Sequence, residues 1–232
     1  MQNNVNKTLK IKVCGMRDID NIKAVSALPI DYMGFIFYEK SPRYVSNFPS
    51  LIQRDSNGKD VESFGFGMKK VGVFVNADID FVLSKVLENQ LDIVQLHGKE
   101  TPPYIYDLRF QISDLEIWKA FPVDETFDFK ETKPYEGIVD MFLFDTKSPQ
   151  HGGAGIKFDW SILTHYHGET PFMLAGGITE NDVESISQLA SDNPKLYGLD
   201  LNSKFEVSPA LKDVEKLKRF LGGLGMISDM AL

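Results

Sequence analysis

The sequence predicts a single-domain (β/α)₈ barrel, the TIM-barrel architecture, and three observations predict it. Eight short runs of β-branched and aromatic residues recur along the chain, segments with helical signals lie between them, and 232 residues suit one such barrel. Alternating strands and helices call for a parallel sheet with right-handed crossovers. Eight repeats favour closure over an open doubly wound sheet, the alternative that pattern alone leaves.

The strands are expected at 10–14, 32–37, 70–75, 93–96, 116–120, 141–145, 172–175 and 197–201. A helix is expected over 77–89 behind Asn76 as N-cap, and another over 179–189, where Thr179 and Asp182 have capping-box spacing. A third is expected over 208–221, with Ser208 as cap and Pro209 at the first helical position, where its missing N–H is harmless. Leu211, Val214, Leu217, Phe220 and Leu221 follow at helical spacing. The crossovers after strands two and five are weakly specified, and the polar, Gly-rich stretch 54–68 reads as a long surface connection. The barrel domain should run over 10–221, between a polar tail at 1–9 and a loosely held tail at 222–232.

A formal charge of −8 and a pI of about 5.1 argue against a nucleic-acid or anionic-membrane partner, while leaving room for a local phosphate site. Cys14 is the sole cysteine, so no intramolecular disulfide can form. The start is polar and lacks an apolar signal core, and no run of about 18 apolar residues exists to span a membrane. A cytoplasmic protein is expected.

In such barrels the chemistry sits at the C-terminal ends of the strands. Strand one reads Lys10-Ile11-Lys12-Val13-Cys14. Period two sets Ile11 and Val13 toward the helices and Lys12 and Cys14 into the barrel. Cys14 is then either a small buried apolar residue or a thiol activated by Lys12 one pleat below. Strand six is apolar up to Asp145, which reads as a general acid or, more plainly, as a loop cap or the partner of Lys147. The loop after it carries Gly152, Gly153 and Gly155, which suit a mobile lid or close approach of backbone to a ligand. Gly176 and Gly177 after strand seven, and Asn202 and Ser203 after strand eight, form a candidate phosphate site in two consecutive strand-to-helix turns. Arg43, behind Ser41-Pro42, is a candidate carboxylate grip or a solvated surface residue. Gln95 and His97 share the inward face of strand four, as ligand or structural groups. Asp200, inward on strand eight, faces Lys12 across the closure, and a structural ion pair is the favoured reading.

Taken together, these segments resemble the phosphoribosylanthranilate isomerases. Lys12-Val13-Cys14-Gly15-Met16, Gly34-Phe35-Ile36-Phe37 with Ser41-Pro42-Arg43-Tyr44-Val45, and Val71-Gly72-Val73-Phe74-Val75-Asn76 are similar to that family's early motifs. Val94-Gln95-Leu96-His97-Gly98, Gly152-Gly153-Ala154-Gly155 with Phe158-Asp159-Trp160, and Leu174-Ala175-Gly176-Gly177-Ile178 follow in family order, so that the likeness spans about residues 10–221. The resemblance implies an Amadori rearrangement of N-(5-phosphoribosyl)anthranilate to 1-(2-carboxyphenylamino)-1-deoxyribulose 5-phosphate, with no cofactor or metal, in a monomer or homodimer. It implies Asp145 as general acid on the furanose oxygen, Cys14 as general base at C2′, and Arg43 on the anthranilate carboxylate. The chain departs from the family after the last strand, where Asn202 replaces a hydroxyl and Lys204 a glycine, and in the glycine loop, where Ile156 stands in place of a lysine and Lys157 follows. The competing readings are another phosphate-binding barrel isomerase working with two aspartates, and a barrel that binds a phosphosugar without turning it over. Cys14 at the end of strand one argues against the first, and the joint presence of acid, base and arginine against the second.

Overall fold

A computed structural model describes residues 9–46, 52–54, 60–62, 68–147 and 158–227. Eight parallel strands close into a barrel. They are β1 (Lys10–Cys14), β2 (Tyr32–Ile36), β3 (Lys69–Phe74), β4 (Ile93–Leu96), β5 (Glu116–Val123), β6 (Met141–Thr146), β7 (Phe172–Leu174) and β8 (Leu196–Leu201). Neighbours follow chain order and β8 closes on β1, with Lys12 in register with Asp200. The expected strands are all present and differ only at their ends. β5 runs on through Pro122 to Val123; near the rim, the missing N–H of Pro122 does little harm to the ladder.

The period-two division decides which residues meet. Ile11 and Val13 join the large outer cluster between strands and helices. Tyr32, Val71, Ile93, Trp118, Met141, Leu143 and Met173 form a separate cluster inside the barrel. This inner cluster is the floor beneath the polar groups described below. Tyr32 meets Trp118 edge to face there, with centroids 5.0 Å apart.

The outer layer departs more from expectation. Two helices not foreseen are α1 (Ile19–Ser26), capped by the Asp18 carboxylate on Asn21 N, and α3 (Pro102–Gln111), which opens behind Thr101 with two prolines. The helix expected at 77–89 is α2 (Ile79–Asn89), and Asp78, not Asn76, occupies the N-cap position. Asn76 instead adopts φ 50°, and its Oδ1 accepts from Lys99 N at 2.6 Å. The capping box at Thr179 and Asp182 is present, but it opens a 3₁₀ turn, Glu180–Asp182, that leads into α4 (Val183–Asp192).

The helix expected at 208–221 is a larger correction. Glu206–Ser208 and Leu211–Lys212 pair as an antiparallel hairpin around Pro209 and Ala210, and the helix α5 (Val214–Gly223) starts only behind Asp213, whose carboxylate accepts from Lys216 N. Helical spacing from Val214 onward is satisfied, and Leu211 belongs to the hairpin. The connection expected over 54–68 includes Asp60–Glu62, which pairs with Ile52–Arg54. Among the described residues, the crossovers after β5 and β6 hold 3₁₀ segments, Phe129–Tyr135 and Trp160–His165. Aromatic packing covers the strands there: Phe144 lies 4.9 Å from Phe172, 5.2 Å from Tyr166 and 5.4 Å from Phe129 between centroids.

Candidate active site

On β4 and β6 the interior period runs up to the C-terminal rim, and there the side chains change from apolar to polar. On β6 the inner residues are Met141, Leu143 and then Asp145. On β4 they are Ile93, Gln95 and then, one step past the strand, His97. β1 contributes Lys12 and Cys14, and β8 contributes Asp200. Cys14 and Asp145 therefore face the same barrel mouth from β1 and β6.

A chain of hydrogen bonds crosses this mouth, and its donor directions are forced. The Lys12 ammonium is fully buried and donates to Asp200 Oδ2 at 2.8 Å and to Gln95 Oε1 at 2.7 Å. An ammonium has no acceptor, so Gln95 must turn its oxygen to Lys12 and its amide N–H to His97 Nδ1, 2.8 Å away. His97 Nδ1 then accepts, the ring proton sits on Nε2, and Nε2 lies 3.2 Å from Asp145 Oδ2. The expected Lys12–Asp200 pair is thus one end of a relay of dipoles that ends on the carboxyl of β6. Lys147, the alternative partner for Asp145, pairs instead with Asp124 Oδ2 at 2.5 Å.

Burial pulls the Lys12 ammonium down, but the Asp200 carboxylate and Cys14 outweigh it and hold the group above its ordinary range. Burial pushes the Cys14 thiol up, and the Lys12 ammonium opposes that. Gly34, in register with Cys14, makes room for it: a β-carbon at Gly34 would lie 2.6 Å from Cys14 Sγ. Gly34 was missed as a site residue, although a glycine inside an apolar strand is the kind of signal that marks close approach.

The turns after β7 and β8 lie side by side because their strands pair. Gly176 and Gly177 both have positive φ, at 81° and 67°. A β-carbon on Gly176 would stand 2.6 Å from Asp145 Oδ1, so this turn also walls the space around Asp145. No described residue accepts a hydrogen bond from the Gly176 or Gly177 N–H. Asn202 and Ser203 follow β8, both half-buried. Gly153 and Gly155 lie outside the described residues.

Arg43 is not a solvated surface residue. Its loop is pinned to the end of β2 by Val45 N donating to Ile36 O, and the side chain is buried. Nε and Nη2 fork onto Glu206, with Nε at 2.8 Å from Oε1 and Nη2 at 2.5 Å from Oε2. Glu206 is also held by Lys212 Nζ at 2.5 Å. Desolvation raises the Glu206 carboxyl, but the hydrogen bonds and charges of Arg43 and Lys212 prevail and hold it below the usual range. Burial draws Lys212 down, against the Glu206 carboxylate beside it. Neither Glu206 nor Lys212 was recognised as part of the site; the hairpin that brings them in occupies what the residue spacing suggests is a helix.

The comparisons with known proteins agree with this geometry. The family model described as N-(5'phosphoribosyl)anthranilate (PRA) isomerase matches residues 11–222. The chain belongs to the N-(5'-phosphoribosyl)anthranilate isomerase family. An N-(5'-phosphoribosyl)anthranilate isomerase from Parabacteroides distasonis is 48% identical over 211 residues, covering 91% of either chain. The crystal structure of phosphoribosyl anthranilate isomerase from Thermotoga maritima superposes with a TM-score of 0.77 at 29% identity, covering 95% of this chain and all of that one. Another isomerase structure, in complex with reduced 1-(o-carboxyphenylamino)-1-deoxyribulose 5-phosphate, matches with a TM-score of 0.75 at 26% identity, over 95% of this chain and 100% of that one. This member of the family is an isomerase of tryptophan biosynthesis. No helix among the described residues is long and apolar enough to cross a membrane.

Proposed function

We propose that the chain carries out the family's Amadori rearrangement with Asp145 as general acid and Cys14 as general base, in the cytoplasm and without a cofactor. The substrate is a phosphorylated small molecule, N-(5-phosphoribosyl)anthranilate. Asp145 gives its proton to the furanose oxygen as the C1′–O bond breaks, leaving a protonated Schiff base. The Cys14 thiolate takes the C2′ proton, and the electron pair of that C–H bond moves to neutralise the iminium as an enolamine. Tautomerisation of the enolamine yields the ketone. Proton transfer by two positioned groups is enough for a redox-neutral isomerisation.

The observation that carries this reading is that Cys14 and Asp145 both continue the interior register of their strands at one barrel mouth. The relay from Lys12 through Gln95 and His97 supports it, since it delivers an N–H to one carboxyl oxygen and a cation beside the thiol. We assign Arg43 to the anthranilate carboxylate: Glu206 occupies its Nε and Nη2 and holds the guanidinium plane, while Nη1 has no partner among the described residues. The phosphate falls to the free amides of Gly176 and Gly177 with Asn202 and Ser203. Gly153 and Gly155 remain candidates for covering the substrate. The barrel over 10–221 acts as one domain.

The test is turnover, followed by loss of phosphoribosylanthranilate fluorescence. Cys14→Ala and Asp145→Asn should each lower kcat by about 10²-fold or more. Near-normal kcat in either variant removes the role assigned to that residue.

A further inference from the structure

Lys212 is a fully buried cation that the proposed chemistry does not use. Its backbone is clamped by the Asn21 carboxamide, with Lys212 N donating to Asn21 Oδ1 at 2.7 Å and Asn21 Nδ2 donating to Lys212 O at 2.9 Å. From this anchor its ammonium reaches Glu206 and, at 2.8 Å, Asn202 Oδ1. Asn202 directly follows β8, and its Oδ1 also lies against Gly15, where a β-carbon would stand 2.9 Å away.

A carboxamide can present either its oxygen or its NH₂ to a ligand, and only the NH₂ suits an anion. The ammonium donates only, so it captures Oδ1 and turns Nδ2 away from itself. No described residue accepts from Asn202 Nδ2. We propose that Lys212 is a positioning residue that locks Asn202 as a donor toward the substrate phosphate, an inference that rests on assigning the β7 and β8 turns to that phosphate. Without the lock, the amide is free to turn its oxygen toward the anion, where it repels. A hydroxyl at this position would need no such device, because it rotates to donate wherever an acceptor lies.

Inorganic phosphate is the probe, because it lacks the carboxylate that engages Arg43 and the carbon that engages Cys14. Its affinity is read from the rise of Tm with phosphate concentration c, fitted to a stabilisation that grows as ln(1 + c/Kd), beside KM and kcat for the full substrate. Lys212→Met should weaken phosphate about tenfold, the scale of one hydrogen bond to a charged group. KM should rise more than kcat falls. Asn202→Ala should weaken phosphate by a similar factor, and the double variant by no more than the worse single one. A folded Lys212→Met with wild-type phosphate affinity, or losses that multiply in the double variant, overturns the proposal. If Lys212→Met does not fold, Asn202→Asp decides. Lys212 would hold one carboxylate oxygen and leave the other facing the phosphate, so binding must be weaker than in Asn202→Ala; equal or tighter binding overturns the proposal. Unchanged phosphate affinity in the Asn202 variants of an enzyme that turns over normally sinks this inference alone, whereas a wild-type protein without turnover sinks the assignment of function.

Discussion

The barrel interior has two layers built by the same strands on the same face, and they do opposite work. The lower layer, with Val71, Ile93, Trp118, Met141, Leu143 and Met173, is buried and predominantly apolar. The upper one, a pleat or two higher, holds Lys12, Gln95, His97, Asp145 and Asp200 in a connected polar network. The lower layer gains by burying area. The upper layer loses by burying charge, a loss offset by pairing the Lys12 ammonium with the Asp200 carboxylate and the Gln95 oxygen. On the proposed function the floor therefore answers for stability and the rim for chemistry, although two residues along one strand separate them.

That contrast can be broken in descending steps. Leu143→Ala in the floor should cost about 2–5 kcal/mol of stability in denaturant melts. The folded fraction should keep kcat/KM near wild type; a loss of activity comparable to that of Asp145→Asn would erase the distinction between the layers. Gln95→Leu at the rim should cost about 1–3 kcal/mol, because it strips an acceptor from Lys12 and a donor from His97. Unlike the floor variant, it should lower kcat in protein that is still folded, and an unchanged kcat would show that the relay does not serve Asp145.

The pH profile sharpens the comparison next. Burial raises the Cys14 thiol above its ordinary range, so the neutral thiol dominates at pH 7 and the base form grows as protons are removed. The proposed mechanism needs one proton on the pair Asp145 and Cys14, so kcat/KM should be level around pH 7 and bend down, by up to about tenfold per unit, only where alkali removes that proton near the raised thiol pKa. A limb that already bends down near pH 7 would mean that the thiol is not raised. The smallest effect lies outside both layers. Ala210, in the hairpin, is held at φ 69°, which disfavours a residue with a β-carbon. Ala210→Gly should raise stability by at most about 1 kcal/mol, since relief of strain is partly offset by the freer unfolded chain. A marked loss of stability would mean that the methyl group, which is buried, matters more to packing than to backbone strain.

Much of the rim was legible before any coordinates. Period two sets Lys12 and Asp200 inward, facing across the closure, and Gln95 and His97 on one face, and the structure joins each of these pairs. Asn202, which shares the direction of Asp200 by the same period, is held instead by Lys212 of the hairpin. Closure of β8 on β1 then makes Lys12 and Asp200 neighbours. The hairpin was not legible. Ser208-Pro209 is a good helix start by local chemistry, and the residues from Val214 onward do repeat at helical spacing. What delays the helix is long-range: Glu206 and Lys212 are held by Arg43, Asn202 and Asn21, all distant partners except Asn202.

The sequence by itself determined the alternation of elements, the inward face of each strand and the residues that end at the mouth, because these depend on local periodicity and chain order. Only the tertiary structure decided which polar groups neutralise one another across the barrel, that Arg43 is buried against Glu206, and that a hairpin carries Lys212 beneath Asn202. Those outcomes depend on charges far apart in the chain sharing one desolvated space, where each must find its counterpart, and no local pattern encodes which partner that is.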